Sequence, residues 1–207
     1  MNRHLTLPTP HGPLIGQLTR PSQPHALILI ANPAAEATTG QSLLPLAEQG
    51  LAILELNLLT QQETHYADAS QDVHRLTQRL ILALDFIRGD GDTADLPLAI
   101  IAIGDATPAA IRAATQRDQQ VQAVIAYGGL IDRAGRQALE WLSAPLLMLF
   151  AAEDELGRQA FARAQSHFSV AVEVHQLANG DAGLALVNEW IVRLLGLRGA
   201  VKPAGDI

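Results

Sequence analysis

Six short apolar runs separated by segments of helical period are the feature that most limits how this chain can fold. The runs are 25–31 (HALILIA), 52–57 (AILELN), 97–103 (PLAIIAI), 121–127 (VQAVIAY), 145–150 (PLLMLF) and 171–176 (AVEVHQ). Several are apolar on successive residues, the pattern of strands covered on both faces. Helical patterns occupy 42–49, 69–88, 108–115, 133–142, 155–168 and 181–195. In the longest, Val73, Leu76, Leu80, Leu84 and Ile87 recur at steps of three or four, which makes a core-facing stripe. Strand and helix in alternation imply an α/β three-layer sandwich. Residues 5–7 and 14–19 flank the turn TPHGP and read as an antiparallel hairpin on one sheet edge. The expectation is a sheet of about eight strands, mostly parallel, in one domain over 1–197. The tail 198–207 has no periodicity and should fray. No internal repeat or linker is visible.

Composition removes whole classes of function. Of 207 residues, 48% are hydrophobic and 17% charged, so the chain can bury a large core. Acidic residues outnumber basic ones 21 to 14 and aromatics are 4%, so no nucleic-acid partner is expected. The absence of cysteine excludes a thiol nucleophile, a disulfide framework and Cys-ligated metal. The single lysine, Lys202, lies in the tail, which removes P-loop, Schiff-base and kinase-type lysines together. The seven histidines have no metal-like spacing, and Asp90, Asp92 and Asp95 lack the closing glutamate of a calcium loop. That triplet reads as a solvated turn. Neither metal nor cofactor is expected. The N-terminus lacks the apolar run of a signal peptide, and the longest apolar stretch, 96–103, is too short to cross a bilayer. No membrane partner and a cytoplasmic location follow as expectations.

In an open α/β sheet, ligands bind beyond the carboxyl ends of the strands. There the chain resembles a known family. The segments GLAILELNLLT (50–60), LILALDFIR (80–88), GDATPAA (104–110), AVIAYGGLIDRAG (123–135) and SAPLLMLFAAEDE (143–155) look like the α/β-hydrolase fold in its small dienelactone-hydrolase-like branch. The resemblance covers roughly 13–197. It implies a nucleophile on a strand-to-helix elbow, an acid after a later strand and a histidine after the last one.

Residue by residue, the implied machinery is incomplete. The nucleophile position falls on Ala106 if Gly104 is the first glycine of the elbow, or on Gly104 itself if no gap is allowed. Neither has a side chain that can attack. Asp154 matches the acid position but reads first as an N-cap for the helix that follows. After the last strand comes Leu177-Ala178-Asn179-Gly180-Asp181-Ala182-Gly183, with no histidine, and His175 lies inside the strand. Where the resemblance implies an oxyanion loop, the chain has Asn32-Pro33-Ala34-Ala35-Glu36. Pro33 has no N–H to donate, and Glu36 would repel a developing oxyanion.

The implied reading is a hydrolase-like protein without serine catalysis that keeps a small-molecule or docking cleft lined by Asn32, Pro33, Tyr127, Asn179 and His65. The alternative is a rearranged hydrolase with Asp105 as nucleophile and His65 as its base. Asp105 also reads as a cap for the following helix. Tyr127-Gly128-Gly129 reads equally as a tight turn or as pocket lining. A third reading is a partner subunit that forms a homodimer through the C-terminal edge.

Overall fold

The computed structural model describes residues 1–33, 46–47, 49–177 and 180–195. The expected helix over 42–49 lies mostly outside them, as do the 198–207 tail, Glu36 and Asn179. All eight strand candidates form: β1 (Asn2–Leu7), β2 (Leu14–Thr19), β3 (Ala26–Asn32), β4 (Leu51–Asn57), β5 (Leu98–Ile103), β6 (Val121–Tyr127), β7 (Leu146–Ala151) and β8 (Val172–Leu177). They join one sheet in the order β1-β2-β4-β3-β5-β6-β7-β8. β1 and β2 pair antiparallel, β2 also pairs antiparallel with β4, and every other neighbour is parallel.

The described helices are α1 (Val73–Gly89), α2 (Thr107–Gln116), α3 (Arg136–Trp141), α4 (Glu155–Ala164) and α5 (Gly180–Leu194). The long pattern 69–88 is divided. Ala69–Gln71 is a separate 3-10 turn, and Asp72 then caps α1 by accepting from the Arg75 N–H at 3.0 Å. The patterns at 133–142 and 155–168 likewise include 3-10 turns, Ile131–Ala134 and Gln165–His167, beside shorter α-helices. Gly135 (φ +85) separates the first turn from α3.

Apolar runs on the inner strands bury both faces. Leu27, Leu29, Ile100, Ala102, Val124 and Met148 face a core closed by α1 and α2, while Ile28, Ile101, Ile125 and Leu147 face Val187, Trp190 and Ile191 of α5. Two-sided burial is why the inner strands carry no polar alternation. The outer strand β2 does alternate buried and exposed residues.

The acidic stretch at 90–95 is a turn with Gly91, Ala94 and Asp95 exposed, and it has a further role. It is clamped by Arg3 of β1, which pairs with Asp90 and donates to Asp92 at 3.5 Å. Arg20 adds a 3.2 Å bond to the Asp92 carbonyl. The turn therefore ties the hairpin to the end of α1. Among the described residues, no helix is long and apolar enough to cross a membrane.

Candidate functional site

The sheet order reverses between β3 and β5, since the chain leaves β3 for β4 on one side and later fills β5 to β8 on the other. Such a reversal separates the connections at the carboxyl ends and leaves a crevice. Asn32 and Pro33 end one wall. Gly104 begins the other, directly after β5.

Gly104 to Ala106 form a 3-10 turn that runs into α2. Gly104 adopts φ +52, a left-handed conformation that costs an L-residue energy and costs glycine nothing. A Cβ at Gly104 would meet nothing among the described residues within 4 Å. Ala106 is fully buried in the core under α2. Pro108 sits in the first turn of α2, where its missing N–H costs no hydrogen bond.

Asp105 does not cap α2, as the sequence suggested it could. No side chain caps either helix start here. Its carboxylate accepts instead from the Ser70 hydroxyl at 2.5 Å. Ser70 arrives on the 3-10 turn before α1, and Arg133 holds that turn through the Gln71 carbonyl at 2.8 Å. The sequence reading missed Ser70, because a serine 35 positions away carries no local signal.

The loop after β6 closes on the elbow through main-chain geometry. Thr107 is fully buried and donates to the Gly128 carbonyl at 2.9 Å. Gly128 (φ +63) donates to the Leu149 carbonyl at 2.8 Å. Gly129 (φ +89) lies so close that a Cβ would collide with the Gly104 carbonyl oxygen. Tyr127-Gly128-Gly129 is thus a tight turn packed on the elbow. Tyr127 itself packs on the α5 side of the sheet, against the core of Ile101 and Ile125. Burial pushes its hydroxyl up to about 12, so it stays a neutral donor.

Asp154 stands three residues beyond β7 and is the N-cap of α4. Its Oδ1 accepts from the Gly157 N–H at 2.9 Å. Its Oδ2 faces Gly128, where a Cβ would come within 2.6 Å. The cap and the acid position therefore coincide at the carboxyl end of the sheet.

The histidines do not join this group. All seven lie among the described residues, and none hydrogen-bonds or pairs with Asp105 or Asp154. His175 lies 4.0 Å from Glu173 on β8. His65 is exposed and turns its Nδ1 to the Gln61 and Gln62 carbonyls at 3.0 and 3.3 Å. It lines an open groove of about 550 Å³ with His11, Thr60 and Tyr66, and its described hydrogen bonds do not reach Asp105. Among the described residues, no group of three His, Asp or Glu side chains could hold a metal ion.

The loop that carries His65 is fixed by a charge cluster. Thr60 and Glu63 form a capping box: the Glu63 carboxylate accepts from the Thr60 N–H and hydroxyl, each at 2.9 Å. Arg75 and Arg79 bind the same carboxylate at 3.1 and 2.8 Å, and Arg79 donates to the Leu58 carbonyl at 2.6 Å. Burial alone would raise the Glu63 carboxyl. The Arg79 and Thr60 hydrogen bonds and the Arg79 charge outweigh it and bring it down to about 2.

Comparison with known proteins sets this geometry in context. No family model matches the sequence. The dienelactone hydrolase of Anabaena variabilis superposes with a TM-score of 0.80 at 24% identity, over 94% of this chain and 98% of that one. Est1E from Butyrivibrio proteoclasticus gives 0.75 at 9% identity, over 93% and 99%. An alpha-beta serine hydrolase homologue from Coxiella burnetii gives 0.67 at 17%, over 92% and 96%. Two proteins of Mycobacterium tuberculosis, provisionally named phosphoribosyl transferases, are 29% identical over 158 residues. That alignment takes in 74% of this chain but only 35% of theirs, so the chain spans about a third of the relatives it matches. The structural likeness shows the α/β-hydrolase fold.

Proposed function

We propose that this chain, built on the α/β-hydrolase fold, does not carry out serine-hydrolase chemistry and uses the crevice at the sheet reversal to hold a small molecule. The observation that carries the reading is Gly104. In hydrolases of this fold the nucleophile sits on the strained residue of the strand-to-helix turn. Here that conformation belongs to a residue with no side chain, whereas Ala106 is buried in the core. Asp154, in the acid position, caps a helix and has no imidazole to orient. Nothing favours Asp105 as a nucleophile, since its carboxylate is engaged by Ser70 and no histidine reaches it. The name of the mycobacterial relatives is not carried over as an activity, because the match spans only 35% of their length.

The purified chain should not hydrolyse p-nitrophenyl acetate above background. Loss of triad residues removes up to ~10⁶-fold of kcat in a working enzyme of this mechanism. Gly104→Ser and Ala106→Ser should both stay inactive, because neither variant gains a general base. Saturable turnover by the wild type that survives repurification would overturn the reading. So would an acyl-enzyme adduct on Gly104→Ser, detected by mass spectrometry.

A further inference from the structure

β8 is the last strand of the sheet, and among the described residues no strand pairs with its outer edge. Three features of that edge are self-complementary. The first is backbone polarity. The Leu146 N–H donates to the Ala171 carbonyl, so odd-numbered residues of β8 point their backbone groups at β7. Val172, Val174 and Gln176 therefore direct theirs outward. The second is charge. Glu173 and His175 lie on the α5 face on either side of Val174. Glu173 is held there by Arg193 at 2.5 Å and the Trp190 indole at 3.0 Å. The third is apolar exposure: Val174, at the centre, is 46% exposed.

We propose that two copies of this chain pair through β8, antiparallel about a two-fold axis at Val174. Opposite residues must share a face, so the register can change only in steps that preserve side-chain parity. Centring on Val174 places Glu173 opposite the second copy's His175, and Val172 opposite Gln176. One neighbouring register places glutamate opposite glutamate, and like charges directly opposite are destabilising. The other centres on His175 and places each Glu173 opposite Leu177, which offers it no polar partner. The backbone agrees. The outward residues Val172, Val174 and Gln176 become hydrogen-bonded pairs, about six new bonds in all, while Glu173 and His175 fall at non-hydrogen-bonded pairs, where side chains approach most closely. The interface is isologous, closes on itself, and removes an edge that would otherwise invite uncontrolled strand addition. Arg193 holds Glu173 on the α5 face, and bonds from Arg193 and Trp190 keep the Glu173 carboxyl below its usual range although burial opposes them. This inference is independent of what the crevice binds.

The test uses the full chain. Light scattering after gel filtration at about 100 µM should give twice the 22.1 kDa protomer mass. Val174→Pro removes an outward N–H but no bond to β7, so it should give a folded monomer. His175→Glu places carboxylates opposite each other and should weaken the dimer at least tenfold. The chain has no cysteine, so a single introduced one reports the register. Val174→Cys should crosslink between copies under mild oxidation, because the paired Cα atoms would lie about 5.5 Å apart. Val172→Cys, displaced from the axis, should not. A monomeric wild type, a dimer that survives both Val174→Pro and His175→Glu, or equal crosslinking of the two cysteine variants overturns the proposal.

Discussion

Replacing Glu63 by alanine should lower stability by about 2–4 kcal/mol, which for a chain of this length is a fall in Tm on the order of 8 °C. The cost arises chiefly from what remains. Arg79 is 2% exposed and would keep its charge with only the Leu58 carbonyl as a described partner. The Thr60 N–H and hydroxyl would lose their acceptor as well. The range sits below that of a fully dry ion pair, because Arg75 and the open groove leave part of the cluster in contact with water. The pH dependence has a definite sign. The Glu63 carboxyl titrates at about 2 in the fold against an ordinary value of 4.5, so its contribution is complete above about pH 4.5 and is lost as pH falls toward 2. Urea denaturation of wild type and Glu63→Ala should therefore differ most near neutrality and converge in acid. A difference below about 1 kcal/mol at pH 7 would mean that solvent, not Glu63, neutralises Arg79.

Gly129→Ala should be the more damaging of two substitutions at the elbow, by about 4 kcal/mol or more, and the protein could fail to accumulate as a folded species. The new Cβ would strike the Gly104 carbonyl and approach Thr107 to 3.0 Å, at a φ of +89 that alanine resists. Both neighbours are fixed, Thr107 by burial and Gly104 by the turn it starts. Gly104→Ala carries the opposite expectation. Its φ of +52 imposes only the left-handed penalty of about 1–2 kcal/mol, since nothing among the described residues lies within 4 Å of the added carbon. Chemical denaturation of the two variants side by side measures the contrast. Equal losses would show that the loop after β6 does not press on the elbow.

Much of this architecture is legible in the residues. Runs such as LAIIAI in β5 have nowhere to go but the middle of a covered sheet, so all eight strands are legible in the sequence. The helices were less sharp. A stripe at steps of three and four continues smoothly across 69–88, yet Asp72 takes up the Arg75 N–H and starts a new helix. Asp105 departs from its local signal for a related reason. A carboxylate before a helix is a good local cap, but the Ser70 hydroxyl, brought by distant chain, takes it instead. The capping box of Thr60 and Glu63 stands in the sequence at the expected spacing. What no local pattern could give is Arg79: it lies just off the apolar stripe of α1, and its burial depends on a glutamate that precedes the helix.

The elbow and the loop that presses on it are assembled almost wholly from groups that every residue carries. A carbonyl at Gly128 receives Thr107, a carbonyl at Gly104 abuts Gly129, and the N–H of Gly128 reaches Leu149. The information that specifies this part of the crevice is therefore concentrated in very few letters: the three glycines at 104, 128 and 129, and the hydroxyl of Thr107. Reactive side chains can be exchanged around such a frame without erasing its shape. An α/β-hydrolase outline can thus persist through wide exchange of side chains, and a frame defined by peptide groups is poorly tuned by single substitutions except at those four positions.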